Sequence, residues 1–582
     1  MTIDFRNINT LWGSVLVETL HRLGLKTAVI CPGSRSTPIA IAFAQHPNID
    51  AIPILDERSA SFFALGLAKQ QGIPVALVCT SGTAGANFYP AVIEAKESRV
   101  SLLVLTADRP PELRHCHAGQ TIDQLRLYGH YPTWQAELAT PEANLERLSY
   151  LRQTIIHAWR RSLDPIPGIV HLNIPLRDPL PPIPQPETIP IQLQWNQETF
   201  FSHIPPQQVT FPQIFSLIPY EQWQSLEKGI IIAGVDQSYF PQEYCQAIAT
   251  LAQHLQYPVL AEALSPIRNY ADLNPYLIST YDIILRNSEI AQKLTPDIVI
   301  QIGELPTSKE LRTWLEKINP TRWIITTSAD NLDALHGKTI HLRTTLEQLT
   351  ETLPKTQNLT LSIYAKQWHE LERKIQQKMN KMMIEENQLV EGKVAWLLPQ
   401  ILPAQTPIII ANSMPVRDVE FFWMPNSQRF YPYFSRGANG IDGTLSTALG
   451  ISYKNNKSVL LTGDLALLHD TNGFLIKQKF IGSLTIIVIN NNGGGIFEML
   501  SISQFEPPFE DFFATPQNID FKKLCHTYGV DYYLIHQWSE LIDLLNPLPE
   551  NGIRLIEVPI HRKNNAQWLN KTLNTLAENI DF

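Results

Sequence analysis

The sequence predicts an α/β protein built from three doubly wound, mainly parallel-sheet domains. Short apolar runs ending in small or polar residues alternate with helical patterns along most of the chain, the signature of strands that feed crossover helices. At roughly 150 residues per domain, 582 residues make room for three or four such units, and 44% hydrophobic composition can fill their cores. The strand-like runs also fall into three blocks, separated by a proline-rich stretch and by a segment rich in Lys, Glu and Gln.

The first block, residues 1–185, carries KTAVICPGS, AIPILDERS, VALVCTSG and SLLVLTADRP as strands with their following turns. Residues 186–206 are assigned to a linker, because the proline density of PLPPIPQPETIP from Pro179 to Pro190 opposes helix and favours an extended connector. The second block, 207–355, is built on KGIIIAGV, YPVLAEAL, PDIVIQIGEL and TRWIITTS. It has no GxGxxG or GxxxxGK[ST] loop, so a dinucleotide or Walker-type site has no support there. Residues 356–389 read as a solvated connecting helix, and 390–582 as a third α/β domain with strands in TPIIIANS, KSVLLTGD, LTIIVINNN and GIRLIEVPI. Three domains of one class suggest duplication, although no sequence repeat is visible.

Composition narrows the partners. The 46 Lys and Arg against 55 Asp and Glu give a net charge of −9, and nucleic acid would require a broad basic surface instead. The five cysteines are scattered and include no CxxC, which points away from a disulfide framework or zinc site and toward a reducing cytoplasm. The start MTIDFRNINT lacks a signal-like apolar core, and no apolar run approaches the ~20 residues that span a bilayer. His115 and His117 flank Cys116 without further ligands at zinc spacing, and read as loop residues.

The sharpest local signal joins KSVLLTGDLALL to SLTIIVINNNGGGIF. Each is a buried strand ending in a loop, and open α/β sheets bind ligands beyond the carboxyl ends of such strands. Asp464 and Asn491 lie 27 positions apart, enough for one crossover that returns both side chains to a common crevice. An Asp carboxylate, an Asn carbonyl and the backbone carbonyl of Gly493 are hard oxygen donors suited to Mg²⁺, whose remaining positions take water and phosphate oxygens. The plainer alternative is a helix-capping Asp464 beside a flexible glycine turn.

This spacing resembles the motif of thiamine diphosphate enzymes, a GD followed by an NN, although position 465 is Leu where the commonest form has Gly. Such an enzyme needs a carboxyl group against N1′ of the aminopyrimidine. Glu57 in AIPILDERSASFFALGLA follows an apolar strand and opens a helix rich in small residues, where an apolar setting would keep it partly protonated. Its alternative is an ordinary acid favoured at a helix start.

PGSRSTP, LDER, TSGTA, TADRPPEL, NSMPVRD, SRGANGIDG, TGDL and NNNGGGIF then occur in order across both outer blocks. Together they resemble the thiamine diphosphate synthases that join 2-oxoglutarate to isochorismate in menaquinone and phylloquinone biosynthesis. The resemblance implies thiamine diphosphate with Mg²⁺ or Mn²⁺ as cofactors. It also implies decarboxylation of 2-oxoglutarate, 1,4-addition of the succinyl carbanion equivalent to isochorismate, and a homodimer or dimer of dimers. Another thiamine diphosphate-dependent 2-oxoacid carboligase or decarboxylase, or a non-catalytic scaffold, are the alternatives.

Both substrates are dicarboxylates, and Arg35, Arg109, Arg417 and Arg436 all fall in loops expected to follow strands. Arginine binds carboxylate through a planar, bidentate fork, whereas a lone surface arginine would signify little. The resemblance adds Ser34, Gln120, Ser413 and Lys309 near substrate. It places Gly463, Leu465, Ile496, Phe497 and Leu500 around the cofactor, the last three being equally readable as core. Glu310 after Lys309 and Gly119 before Gln120 depart from the family pattern.

Overall fold

The computed structural model describes residues 2–202, 204, 218–351, 353, 361–578 and 580. The expected boundaries at 206/207 and 355/356 lie outside the described residues. The chain forms three six-stranded sheets. The first contains β1 (Thr27–Ile30), β2 (Asp50–Pro53), β3 (Val75–Cys79), β4 (Leu102–Asp108), β5 (Trp134–Glu137) and β6 (Ile169–Pro175). The second contains β7 (Gly229–Ala233), β8 (Val259–Ala261), β9 (Leu277–Ile278), β10 (Ile298–Ile302), β11 (Thr321–Thr326) and β12 (Lys338–Arg343). The third contains β13 (Pro407–Ile410), β14 (Tyr431–Phe434), β15 (Ser458–Gly463), β16 (Ser483–Asn490), β17 (Asp531–Leu534) and β18 (Gly552–Pro559).

Neighbouring strands within these sheets pair in parallel. The orders β2-β1-β3-β4-β6-β5 and β14-β13-β15-β16-β18-β17 are the same when counted from the first strand of each sheet, which fits duplication of the outer pair. The central order, β12-β11-β10-β7-β8-β9, differs. Its switch point lies between β7 and β10, where a doubly wound sheet would receive a nucleotide. There the two following loops close on each other: Val235 bridges Glu304, and a Cβ on Gly234 would lie 1.6 Å from the Glu304 carbonyl oxygen.

The chain divides into two compact units. One comprises Met1–Thr210, Ser435–Asn455 and Ala466–Ile481; the other comprises Phe211–Phe434, Asn456–Leu465 and Gly482–Phe582. In the first, the Glu57–Gln71 helix packs against the Thr444–Ser452 helix at a distance that only glycine permits. A Cβ on Gly66 would lie 2.1 Å from the Thr447 carbonyl oxygen, and one on Gly450 would lie 2.1 Å from that of Phe63. Small residues therefore set the seat of the helix that begins at Glu57.

Two expectations are corrected. The proline-rich segment does not remain extended: a 3₁₀ turn at Pro186–Thr188 runs into a helix at Ile189–Gln194. Pro186 and Pro190 both sit in first turns, where a missing N–H costs nothing. The segment is also tied down, since Asn7 Nδ2 donates to the Pro181 carbonyl at 2.7 Å and Gln185 N donates to Arg6 O at 2.7 Å.

The helix expected to be solvated, Ile363–Glu385, buries Tyr364, Trp368, Leu371, Ile375 and Met379 on one face. They join a continuous core with residues of the second and third sheets, such as Ile230, Leu260, Leu461 and Ile487. Most of its Lys, Glu and Gln occupy the other face, as helical periodicity allows, while Glu372 is buried and accepts Ser279 N and Thr280 N, each at 2.9 Å.

Replacing Gly450 with Val should destabilise the protein by about 2 kcal/mol through overpacking. Gly119→Ala, where a Cβ meets nothing within 4 Å, should stay within about 0.5 kcal/mol of wild type. Urea unfolding monitored by tryptophan fluorescence checks both.

Candidate active site

In the second unit, β15 and β16 lie side by side with Gly463 opposite Ile489, so their carboxyl ends reach the same edge of the sheet. Asp464 begins where β15 stops, and its Oδ2 accepts the Gly493 N–H at 2.8 Å. It is only 4% exposed. Burial pushes its pKa up to about 6, against the pull of the Leu465 and Gly493 N–H groups and of Arg562.

Asn491 is likewise buried, and its Nδ2 donates to Glu391 Oε1 at 2.8 Å. Its Oδ1 is buried without a hydrogen-bond partner among the described residues. Gly493 has φ +143°, and a Cβ there would lie 2.4 Å from the Ala514 carbonyl oxygen. Its own carbonyl accepts from Gly495 N at 2.9 Å, leaving a second lone pair.

The turn NNNGGG is pinned: Gly494 N donates to Ala514 O at 2.7 Å, and Asn492 Nδ2 donates to Asn518 Oδ1 at 2.8 Å. A costly buried carboxyl, an orphaned amide oxygen and a carbonyl with a spare lone pair fit a divalent cation, which would offset the cost of holding Asp464 ionised. A Cβ on Gly463 would meet nothing within 4 Å, so open space adjoins the donors.

The expected apolar flank is uneven. Leu465, Ile496 and Phe497 are half-buried, with Ile496 against the core and Phe497 edge-on to Phe513 at 5.8 Å, while Leu500 is 50% exposed.

Beyond β13, the first strand of this sheet and a switch-point neighbour of β15, stands Ser413 with φ +74°, a left-handed conformation costly for serine. Arg417 donates to the Ser413 carbonyl at 2.5 Å. It lies within the Met414–Phe422 helix and not in the loop expected from sequence, because the helix starts as soon as the strand ends. Burial lowers the pKa of its guanidinium, with Asp418 opposing. Lys309 opens the Lys309–Ile318 helix and is exposed. The turn before it is held by Glu262, which accepts from Thr307 N at 2.9 Å, and by Asp282, which accepts from the Ser308 hydroxyl at 2.5 Å. The unusual Glu310 stands 3.9 Å from Arg286.

Local sequence gives no sign of the acid pair behind Asn491. Glu391 and Asp418 are neighbours, 2% and 0% exposed; burial raises both pKa values, that of Glu391 to about 7, and the Glu391 charge raises that of Asp418 further.

In the first unit, Glu57 heads its helix immediately after the N-cap Asp56, whose carboxylate accepts Ser59 N at 2.8 Å and Asn472 Nδ2 at 2.7 Å. Glu57 is half-buried. The buried thiols of Cys31 and Cys79 are close enough to feel its charge; burial first, and that charge among the lesser causes, raises their pKa values.

Around the β1/β3 switch point, Arg109 hydrogen-bonds the Ser81 hydroxyl, and Gln120 Nε2 donates to the Ser81 carbonyl at 2.9 Å. Arg35 is buried, donates to Leu176 O at 2.9 Å and stands 3.7 Å from Asp178. Burial, and next the nearby Arg109 charge, lowers its pKa. Ser34 is exposed at the same turn. Ser81, inside the TSGTA string, was not singled out by sequence, yet it gathers Arg109 and Gln120.

Behind it, Gln124 accepts Gly82 N at 2.8 Å and donates to Asn173 Oδ1 at 2.9 Å, while Asn173 Nδ2 donates to Asp108 and Glu137, each at 2.9 Å. The loop bearing Arg436 is fixed by Glu94, whose buried carboxylate accepts Gly437 N at 3.1 Å and Ala438 N at 2.7 Å. His115, Cys116 and His117 lie exposed in a turn.

Residues 12–127 match the family described as thiamine pyrophosphate enzyme, N-terminal TPP binding domain. Residues 194–410 match the middle domain of thiamine pyrophosphate enzymes, and 415–558 the C-terminal TPP binding domain. A curated relative from Gloeothece citriformis (strain PCC 7424) is 65% identical over 581 residues, covering 99% of this chain and 100% of its own. One from Microcystis aeruginosa is 63% identical, covering 98% and 99%, and one from Nostoc sp. is 60% identical, covering 100% of both. All three bear the name 2-succinyl-5-enolpyruvyl-6-hydroxy-3-cyclohexene-1-carboxylate synthase.

The polar network of the first sheet makes a pH prediction. His171 is hydrogen-bonded to Thr106 at 2.8 Å, and burial lowers its pKa from 6.5 to about 4. Between those values the unfolded chain binds a proton that the folded chain refuses, so stability should fall as pH drops from 6.5 toward 4, by at most roughly 3 kcal/mol. Denaturant unfolding across this range should show a slope that His171→Gln lessens.

Proposed function

The chain belongs to the 2-succinyl-5-enolpyruvyl-6-hydroxy-3-cyclohexene-1-carboxylate synthase family of thiamine pyrophosphate enzymes, and we propose which of its residues carry the reaction. It is a transferase that decarboxylates 2-oxoglutarate and adds the succinyl unit 1,4 to isochorismate, a step of menaquinone or phylloquinone biosynthesis. When bound, thiamine diphosphate supplies the thiazolium ring that takes up the electron pair released with CO₂.

Asp464, Asn491 and the Gly493 carbonyl are assigned as the residues that would hold Mg²⁺, or Mn²⁺ in its place, an ion that would in turn neutralise the diphosphate of the cofactor. The observation carrying this assignment is the buried, unpartnered Asn491 Oδ1 beside Asp464 at the ends of adjacent strands. The space beside Gly463 and the side chains of Leu465, Ile496, Phe497 and Leu500 border the cofactor. Glu57 is assigned to the aminopyrimidine of the bound cofactor, where its carboxyl group would hold a proton against the ring nitrogen.

Arg35, Arg109 and Gln120, with Ser34 beside them, are assigned to one end of the substrate carboxylates. Ser413, Arg417, Arg436 and Lys309 are assigned to the remainder. Planar guanidinium groups orient carboxylates bidentately and exclude competing protonation by holding both acids in place.

The working form is a homodimer or a pair of dimers. Glu57 and the metal donors belong to different units of the chain, and the exposed Leu500, Phe505 and Phe512 follow the metal loop. We keep the domain division 1–185, 207–355 and 390–582, with 186–206 and 356–389 between them. The five unpaired cysteines favour a cytoplasmic setting.

The decisive assay supplies 2-oxoglutarate with and without isochorismate and identifies products. CO₂ release coupled to adduct formation is expected, while release with no adduct in either case would favour a simple decarboxylase. Glu57→Gln should lower kcat by about 10²–10⁴-fold. Mixed Glu57→Gln and Asp464→Ala subunits, each inactive alone, should regain activity on refolding together; persistent inactivity despite subunit exchange would assign the site to one chain.

A further inference from the structure

An asparagine can serve a cation only through its oxygen, so something must decide which way the Asn491 amide faces. The nitrogen side is closed off: a Cβ on Gly495 would lie 2.6 Å from Nδ2, and Nδ2 itself donates to Glu391 Oε1 at 2.8 Å. Glu391 stands 100 positions earlier in the chain, at the start of the Glu391–Ile401 helix, where its own N–H donates to Asn565 Oδ1 at 3.0 Å. Its other oxygen has no hydrogen-bond donor among the described residues, and Asp418 is its carboxyl neighbour. Asp418 is fully buried in the Met414–Phe422 helix, and neither of its oxygens meets a donor among the described residues. Oε1 is thus the Glu391 oxygen that meets Asn491, with Asp418 beside the same carboxyl group.

We propose that Glu391 is the positioning residue of the metal site: braced by Asp418, it accepts from Asn491 Nδ2 and thereby turns Oδ1 toward the ion. This inference rests on the assignment of Asn491 as a metal ligand. It adds a residue that touches neither metal nor substrate. Partners of this kind around metal ligands change metal affinity by about 10–100-fold when removed. Asp418 directly follows Arg417, so one helix braces the metal ligand and presents a guanidinium assigned to substrate.

The test titrates Mg²⁺ into the full-length protein at saturating thiamine diphosphate and follows tryptophan fluorescence, with circular dichroism confirming the fold of each variant. Glu391→Leu should weaken Mg²⁺ binding about 10–100-fold. Glu391→Asp, which keeps a buried acid but withdraws it by one methylene, should lose about tenfold, and it decides the matter should the leucine variant fail to fold. Glu391→Gln should remain close to wild type, because its amide oxygen still accepts from Asn491 while its nitrogen can donate to Asp418. Wild-type affinity in Glu391→Leu or Glu391→Asp, or a loss in Glu391→Gln equal to that in Glu391→Leu, would overturn the proposal. Asn491→Ala separates the two levels: it should abolish the saturable response, and an undiminished response there would refute the ligand assignment itself.

Discussion

Parallel pairing of β15 with β16 is the contact on which the rest of the third sheet depends. With Gly463 opposite Ile489, the residues that follow the two strands leave the sheet at one level, and the Gly493 N–H closes onto the Asp464 carboxylate at 2.8 Å. Both strands are buried, so the polar groups at their ends sit where water cannot satisfy them. A carboxyl held there is expensive as an anion, and the amide oxygen of Asn491 lacks any donor among the described residues. A divalent cation would relieve both costs at once, a physical argument for the proposed cofactor anchor that is independent of motif spacing.

The first unit repeats the device with different chemistry. Its sheet has the same strand order, and the residues past β1, β3 and β4 again gather at the switch point, here as Arg35, Ser81, Arg109 and Gln120. Burial, and next the Arg109 charge, lowers the proton affinity of Arg35, and two guanidinium groups that close together suit an anionic ligand. Behind them a connected set of buried hydrogen bonds from Gln124 through Asn173 to Asp108 fixes the loops, and such networks rigidify a site when every member is satisfied. The central sheet, whose order differs, closes its switch point with its own backbone at Val235 and Glu304.

The strands legible in the sequence were those inside the sheets, together with the edge strand β2. Those overlooked, β5, β9, β12, β14 and β17, are all edge strands, and β6 is the interior exception. An edge strand pairs with one neighbour only, so β12 and β17 expose most of their residues. β6, IVHLNIP, is fully buried, but His171 and Asn173 interrupt its apolar run because they belong to the polar network. The prolines after Pro179 misled in the same local way, since a composition argument cannot show that Pro190 falls in a first turn.

Chain chemistry alone determines the strand-loop-helix grammar and points to the proposed donors Asp464, Asn491 and Gly493, the candidate acid Glu57 and the arginines. Each of these sits in a short contiguous string whose turn geometry and residue type are set by near neighbours. Folding adds the parts that require distant segments to meet. Glu391 reaches Asn491 across 100 positions, and Glu94 holds the Ala438 N–H across 344. No periodicity or motif encodes such pairs, because which way a buried amide faces is decided by the packing around it and not by the residues beside it.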